Sequence, residues 1–288
     1  ETICENVHLE GFERVYIKND EYTNCTFSGI NYHAIYGGNN LQNVVHRGNP
    51  NGYRSVGYWV RGSSNVKNIQ LIDFEGGVYC DTLVFSGETT IQNLQIIDCD
   101  LDIKYRLNLS TTAIYNIINS TVDVTSVLIE LRLTPDGSTI TNNFKNYFQI
   151  YIENAANASA TLKDQNGNEI ISGTLDANGE WLLTDPVTWV QRYLETADGE
   201  LVENQLNYYE PFTLEVKKNG LQDLIIPNIY SSIYDSDKGK RIGSLEDTVV
   251  EGQMVKKNYV DRNIQGDIEL TKELKGEIEI IELQGEVS

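Results

Sequence analysis

Two aspartates hold the same place in successive repeats of this sequence and are the first candidates for chemistry. Asp73 and Asp98 each stand five residues after a repeated asparagine, with further aspartates nearby. If the repeats stack, the two carboxylates lie one above the other, where they could act as the acid and base of glycoside cleavage or as calcium ligands of a lyase. Alternatively, an aspartate marks the turn after a strand because its side chain bonds its own backbone. We prefer the turn interpretation and keep Asp73 and Asp98 as catalytic candidates.

A second candidate is a stretch of aromatic and basic residues that makes the third repeat longer than the two before it. It combines rings that can stack on sugars with guanidinium groups that can bind an acidic glycan: Tyr53, Arg54, Tyr58, Trp59 and Arg61. Loops that project from a repeat protein usually carry its binding surface. The alternative is that Tyr58 and Trp59 pack the repeat while the arginines keep the loop soluble. The stretch is therefore a candidate glycan-binding site.

The histidines and cysteines do not form a recognisable metal motif. The chain has three histidines and four cysteines, and no two cysteines have C-x-x-C spacing. We therefore expect neither a metal site nor a cofactor. Cys4 and Cys25 fall at apolar positions of the repeat and are interpreted as small buried hydrophobes, with a disulfide between adjacent repeats as the alternative. His46 also replaces an apolar residue, and we expect a core polar group with satisfied hydrogen bonds.

The element that must position these residues is a six-residue phrase that returns through the first half of the chain. Its pattern is apolar, any, Asn, apolar, any, apolar, and its asparagines are Asn6, Asn24, Asn43, Asn68, Asn93 and Asn116. A unit that recurs every 20–25 residues or so indicates a solenoid. The alternation of apolar and polar residues is strand periodicity, and one such unit cannot bury its apolar side alone. The repeats must therefore stack as strands.

When the repeats stack, the asparagine side chains of neighbouring repeats can form hydrogen bonds with one another. An asparagine amide offers two donors and an acceptor, so a column of amides can satisfy itself and can also bond the turn backbone. We expect Asn68 and Asn93 to be buried, stacked and paired. This arrangement resembles the asparagine ladder of right-handed parallel β-helices, the pectate-lyase-like solenoids also found in phage tailspikes and microbial surface proteins. The resemblance covers about residues 1–150, and the motifs of the pectin-degrading members cannot be matched here residue by residue.

The middle of the chain predicts a different module. Two Asn-Gly turns, Asn166-Gly167 and Asn178-Gly179, separate strand-like segments, which is a strong hairpin signal. An Asp-x-x-Gly turn followed by Gly-x-Thr-x-Asp-x-x-Gly resembles the carboxypeptidase regulatory-like β-sandwich modules, over about residues 151–230. The resemblance implies a spacer or adhesion unit and brings no catalytic residues. We expect a small antiparallel β-sandwich over residues 151–232.

The C-terminal part, residues 233–288, is interpreted as an acidic linker followed by oligomerisation strands. Residues 233–262 are charged and are expected to be a loose connection. Three glycine-anchored units then alternate apolar and acidic residues, at 266–270, 276–280 and 285–287. Alone they have too little core, but several chains could supply such strands around an axis. They resemble the ends of phage tail structural proteins, and a frayed acidic tail is the alternative.

Charge and composition limit the partners. The chain of 288 residues has 22 Lys and Arg against 42 Asp and Glu, a net charge of −20, which argues against nucleic acid as a partner. No apolar run approaches the length of a membrane span, so no membrane insertion is expected. The fold class expected is all-β: a right-handed parallel β-helix over residues 1–150, then the β-sandwich, then a C-terminal β-strand extension.

The function expected from these features is structural. The sequence favours a non-enzymatic extracellular or virion protein for structure or attachment, such as a phage tail or appendage component or a surface filament subunit. We expect a homo-oligomer, either a trimer or a filament, and a cell-surface glycan as a possible partner. The alternatives are a polysaccharide-degrading enzyme, either a lyase or a glycoside hydrolase, and a carbohydrate-binding module on the β-helix.

Overall fold

The computed structural model describes residues 3–11, 21–30, 35–36, 40–49, 56–59, 65–81, 87–107, 110–131 and 136–257. Throughout these ranges the regular secondary structure is β-strand, so the chain is all-β as predicted. Residues 1–256 form one compact unit. Of the second unit, residues 257–288, only Lys257 lies within the described ranges.

The strands of the first half are, in chain order, β1 (Ile3–Glu5), β2 (His8–Glu10), β3 (Glu21–Thr23), β4 (Thr26–Ile30), β5 (Ile35–Tyr36), β6 (Asn40–Gly48), β7 (Val56–Trp59), β8 (Asn65–Ile72), β9 (Gly76–Asp81), β10 (Gly87–Ile97), β11 (Leu101–Leu107), β12 (Thr112–Ile118), β13 (Val127–Leu131) and β14 (Thr139–Asn146). The strands of the second half are β15 (Phe148–Glu153), β16 (Ser159–Lys163), β17 (Glu169–Thr174), β18 (Glu180–Leu182), β19 (Val187–Ala197), β20 (Glu200–Tyr208), β21 (Phe212–Lys217), β22 (Leu224–Ile229), β23 (Ile233–Asp235), β24 (Lys240–Ile242) and β25 (Thr248–Gln253).

Two parallel sheets organise the first half. The first sheet runs β1-β3-β6-β8-β10-β12-β14, with β2 and β4 paired beside it, and the second runs β13-β11-β9-β7-β5. From β4 to β14 the described strands alternate between the two sheets, so each strand of one sheet lies on the crossover between neighbouring strands of the other. Parallel strands need such a crossover because a tight hairpin cannot join them. Successive repeats therefore stack, which is compatible with a β-helix-like solenoid.

Register places like residues above one another in the core. Leu41 pairs with Val66, Val66 with Ile91, and Ile91 with Ile117. All four are almost completely buried. A parallel sheet covered on its inner face needs such apolar columns, because no single repeat encloses its own core.

A single asparagine bends each of three strands of the first sheet, β6, β8 and β10. Asn43, Asn68 and Asn93 adopt left-handed backbone conformations with φ of 55°, 55° and 56°, a region that asparagine tolerates better than most residues. The bend also interrupts the in–out alternation. Val66 and Ile69 are both buried, while Lys67 and Asn68 between them are both exposed. This bend turns the strand while keeping apolar residues inward on both sides of it.

The second half closes one end of the parallel stack. Strand β14 pairs antiparallel with β19, and β19 with β20, so the first sheet continues as an antiparallel hairpin. A three-stranded sheet, β18-β15-β25, and a four-stranded antiparallel sheet, β17-β16-β21-β22, complete this part. Their inner faces meet at Phe148 and Phe212, whose ring centroids are 5.5 Å apart. The first sheet therefore contains strands from before and after residue 150. The predicted domain boundary at this residue stays a prediction.

Residues 233–257 are not a loose linker, and that expectation is corrected. They form the β23–β24 hairpin and then β25, which pairs in parallel with β15. Lys240 Nζ lies 2.5 Å from Asp123 Oδ2 and also donates to Thr125 Oγ1, which fastens the hairpin to the first half. The local composition of charged residues suggested a solvated linker, but the partners of Lys240 lie more than 100 residues earlier in the chain.

Candidate functional site

Four of the repeated asparagines are joined side chain to side chain. Nδ2 of Asn43 donates to Oδ1 of Asn24 at 2.9 Å. Asn68 donates to Asn43 at 2.8 Å, and Asn93 to Asn68 at 2.7 Å. We call Asn24, Asn43, Asn68 and Asn93 the amide ladder. Each later residue donates to the preceding one, so the ladder has one direction.

The amide ladder lies on the outer surface, and the expectation that Asn68 and Asn93 are buried is corrected. Asn68 is exposed and Asn93 is half-buried. The physical reason is the left-handed bend, which turns two consecutive side chains outward. The amides therefore bond one another in the presence of solvent and do not form an internal polar spine. Asn6 shares the bend, with φ of 57°.

The sixth predicted ladder residue is displaced by three positions. Asn119, with φ of 46°, occupies the bend position that the sequence phrase assigned to Asn116. Asn116 instead aligns with Thr90, donates to Glu88 Oε1 and accepts from Asn143 Nδ2 at 3.1 Å. The phrase missed Asn119 because the next apolar position is Ser120. There the hydroxyl replaces packing with hydrogen bonds, donating to Ile118 O and accepting from Leu94 N.

Asn119 ends the ladder because it bonds a different segment. Its Nδ2 donates to Asp247 Oδ1 at 2.6 Å, and its Oδ1 accepts from Tyr147 N at 3.2 Å. Asp247 belongs to residues 243–247, which we call the strap. Gln149 Nε2 donates to the other oxygen of Asp247 at 2.7 Å, and Asn146 Nδ2 donates to Glu246 O at 3.0 Å. The strap is thereby held beside the last rung.

Between the ladder and the strap lies a groove of about 460 Å³, which we call the amide groove. Its lining residues are uncharged side chains of three neighbouring repeats and one strap residue: Asn43, Val45, Asn68, Ile69, Gln70, Asn93, Gln95 and Leu245. Gln70 Nε2 donates to Gln95 Oε1 at 2.7 Å, which forms a second, shorter row of amides. The sequence phrase predicted the asparagine row, but the glutamine row and Leu245 required the register and the strap.

The aspartate candidates lie at turns. Asp73 and Asp98 have left-handed φ of 60° and 52°, and Asp73 N donates to Ile97 O at 3.1 Å. They stack in successive repeats where the chain leaves the first sheet for the second. This is the backbone region that aspartate tolerates well, which favours the turn interpretation. In the part of the chain that the structure describes, no group of three or more His, Cys, Asp or Glu side chains is placed to hold a metal ion.

The aromatic stretch is only partly described. Tyr58 is completely buried in the core, so its proposed contact with a glycan is corrected to the packing alternative. Because Tyr58 and Val78 pair across the second sheet, its ring fills the space between repeats. The backbone of Trp59 pairs with those of Tyr36 and Tyr79, and its side chain lies outside the described set. Tyr53, Arg54 and Arg61 also lie outside the described residues.

His46 is buried without the partners expected of it. Its side chain is completely buried, and neither ring nitrogen has a hydrogen-bond partner. The ring lies between Phe27 and Phe74, with centroid distances of 5.7 Å and 5.0 Å. Desolvation by burial lowers its pKa from 6.5 to about 3, so the imidazole is neutral at neutral pH. The expected satisfied polar group is corrected to an unsatisfied one.

Sequence reasoning missed a buried pair of carboxylates beneath the β23–β24 hairpin. Asp123 N donates to Asp102 Oδ2 at 2.6 Å, and both side chains are buried. Burial raises the pKa of Asp102 to about 6. For Asp123, burial acts in the same direction, but hydrogen bonds from Lys240 and Thr125 outweigh it and lower the pKa. The pair fastens the hairpin, and its members are too far apart in sequence for a motif to reveal them.

The described thiols are not in disulfides. They are Cys25, Cys80 and Cys99, of which the first two are buried. Cys25 therefore behaves as a small hydrophobe at its apolar repeat position. The side chain of Cys4 lies outside the described set.

Comparison with known proteins adds no relative: no protein-family model matches the chain, and no curated protein or solved structure matches it significantly. In the described ranges, no helix is long and apolar enough to cross a membrane.

Proposed function

We propose that this chain is a non-enzymatic structural or attachment protein of an extracellular or virion surface. Its first 150 residues form a right-handed parallel β-helix, as in a phage tail or appendage component or a surface filament subunit. The observation that carries the proposal is the amide ladder on stacked parallel strands. Such a stack gives a stiff rod whose side chains repeat along its length. A rod of this kind suits a protein that spans a distance or presents a binding surface, and that role needs no catalytic centre.

Two further features support the proposal. The β19–β20 hairpin extends the first sheet beyond its last parallel strand, so β14 is paired on both sides and the sheet ends in the antiparallel strand β20. Beyond Lys257, the glycine-anchored apolar and acidic units are strand sequences without a core of their own. We propose that several copies supply these strands to one another, which makes the protein a homotrimer or a filament.

The test is the mass in solution, measured by light scattering on the full chain and on a chain ending at Lys257. That end point keeps β25 and the β23–β24 hairpin, which belong to the compact unit. The proposal expects a trimer or larger assembly for the full chain and a monomer for the shortened one. A monomeric full chain at micromolar concentration would contradict it.

A matched control separates assembly from simple loss of length. The full-length variant Ile268→Ser, Ile278→Ser, Val287→Ser keeps all residues but removes apolar side chains from each unit. We expect it to behave as the shortened chain does. If it assembles like the unaltered protein, the apolar faces of residues 266–287 do not drive assembly.

A further inference from the structure

We propose that the amide groove binds an extended, uncharged, hydroxyl-rich chain, that is, a neutral polysaccharide. This names the ligand of the proposed attachment function and rests on that function only for its biological setting. The site differs from the aromatic stretch, because none of its lining residues belongs to residues 53–61. Three properties of the groove point to this ligand: its lack of charge, its unused hydrogen-bonding groups and its apolar flank.

The groove is uncharged on a strongly charged protein. The chain has a net charge of −20, yet all the lining residues are amides or aliphatic side chains. An acidic polymer would be repelled by the protein as a whole and would find no cation in the groove. Lys67 lies on the other side of the ladder, in a neighbouring depression that it shares with Glu21. A neutral ligand meets neither obstacle.

The amides keep half of their hydrogen-bonding capacity. An asparagine or glutamine amide has two N–H donors and a carbonyl oxygen with two lone pairs. In Asn68 the ladder uses one N–H, towards Asn43, and one lone pair, for the amide of Asn93. One donor and one acceptor therefore remain side by side on this exposed residue. A pair of adjacent sugar hydroxyls offers the same two functions in the same compact form.

The rungs also repeat. Neighbouring strands of a sheet are about 4.8 Å apart, so equivalent amides recur at that interval across the repeats. Ile69 is buried in the core and offers little surface to a ligand. Two half-buried aliphatic side chains line the groove: Val45, which aligns with Gln70 in the glutamine row, and Leu245, which forms the opposite wall. These aliphatic surfaces can pack against the C–H faces of sugar rings. An extended peptide is less suited, because peptide addition uses an open strand edge and the groove presents the outer face of paired strands.

The experiment is affinity electrophoresis in native gels. The sequence pI is about 4.5, so the protein migrates towards the anode at neutral pH, and binding to an immobile polymer retards it. The neutral probes are dextran, mannan and galactomannan, and the acidic probes are polygalacturonate and alginate. The unaltered protein should be retarded by at least one neutral polymer and by neither acidic one. Retardation by none of the neutral polymers would overturn the proposal.

Two groove variants and one control locate the binding. Gln70→Ala combined with Gln95→Ala removes the glutamine row and should weaken binding about tenfold, since each neutral hydrogen bond contributes modestly. Gln205→Ala is the control: Gln205 is also a glutamine whose Nε2 donates to a neighbouring side chain, but it lies on β20 outside the groove. It should leave binding unchanged. Melting temperatures within a few degrees of the unaltered protein verify that the variants are folded.

The variant Gln70→Lys distinguishes ligand charge. It places a cation in the groove, so it should weaken retardation by the neutral polymer and not enhance it. If instead it creates strong retardation by polygalacturonate while neutral binding persists, or if the double variant binds normally, the amide groove is not the site. Because light scattering tests assembly and retardation tests the groove, failure of one is distinguishable from failure of the other.

Discussion

The buried imidazole of His46 makes the stability of this protein depend on pH in a way that one substitution should remove. The ring is completely buried between Phe27 and Phe74 and has no hydrogen-bond partner on either nitrogen. Its folded-state pKa is about 3, against 6.5 for the unperturbed group. Between these values the unfolded chain binds a proton that the folded chain does not. Stability is therefore present above pH 6.5 and is lost as the pH falls below it.

The magnitude follows from the pKa difference. Each pH unit below the unfolded-state pKa costs about 1.36 kcal/mol, so about 2 kcal/mol is lost between pH 7 and pH 5 through this group alone. Separately, the neutral ring leaves polar atoms buried and unpaired, which costs about 1–3 kcal/mol at every pH. His46→Leu removes both costs and suits the apolar column in which His46 pairs with Leu71.

The assay is urea unfolding, followed by circular dichroism between about pH 5 and pH 7.5. We expect His46→Leu to be more stable by about 1–3 kcal/mol at pH 7.5 and by about 2 kcal/mol more at pH 5. The difference between variant and unaltered protein is the quantity to use. The pKa of Asp102 is raised from 3.8 to about 6, so that carboxyl gains stability as the pH falls through this window and partly masks His46.

His46→Gln is the control that separates the two costs. Glutamine keeps a buried polar group but cannot take up a proton in this range, so the variant should lose the pH dependence without the gain at pH 7.5. Parallel stability curves for His46→Leu and the unaltered protein from pH 5 to pH 7.5 would refute the reasoning. They would mean that His46 is solvated or paired in the folded protein.

Two further predictions concern the ladder and the strap. Asn68→Gly removes two exposed hydrogen bonds and should cost about 1 kcal/mol, whereas Asn68→Ala also places an ordinary residue at φ 55° and should cost about 2 kcal/mol. The order of the two melting temperatures checks this, and a more stable alanine variant would contradict the left-handed bend. Gly243→Ala would make a Cβ clash with the backbone oxygen of Ser120, so it should displace the strap and lower the melting temperature. The neighbouring Ser244→Ala serves for comparison, because it adds no atom at this contact and removes only the hydrogen bond that Ser244 Oγ accepts from Glu246 N. A melting temperature for Gly243→Ala no lower than that of Ser244→Ala would mean that the strap does not lie where Gly243 meets Ser120.

Much of the fold could be predicted because its signals are local. The asparagine at each bend is selected by backbone conformation, and the apolar residues Val66, Ile69 and Leu71 are selected by one buried face. Both are readable within a few residues. The all-β class, the strand phrase and the turns at Asp73 and Asp98 follow from such local preferences.

The candidate site could not be predicted in the same way because its parts are distant in sequence. The sequence repeat assigned the bend to Asn116 and not to Asn119, because the repeat requires an apolar residue after the asparagine. Asn119 is followed by Ser120, whose hydroxyl makes hydrogen bonds where an apolar side chain would pack. Tyr58 was a plausible surface residue by type, and only burial in the second sheet decided otherwise. The uncharged wall at Leu245 depends on Asp247, which is held by Asn119 and Gln149 about 100 residues or more away.

The sequence by itself therefore determined where each strand bends and which residue types repeat, because left-handed backbone and apolar alternation are properties of a few neighbouring residues. Tertiary structure alone decided which way the amides face, that Asn119 and not Asn116 occupies the next bend, and that the buried ring of His46 has no hydrogen-bond partner. Those outcomes depend on the register between repeats and on the strap that returns from residues 243–247. The register is set by the packing of all the stacked repeats together, so it cannot be predicted from the sequence of one repeat.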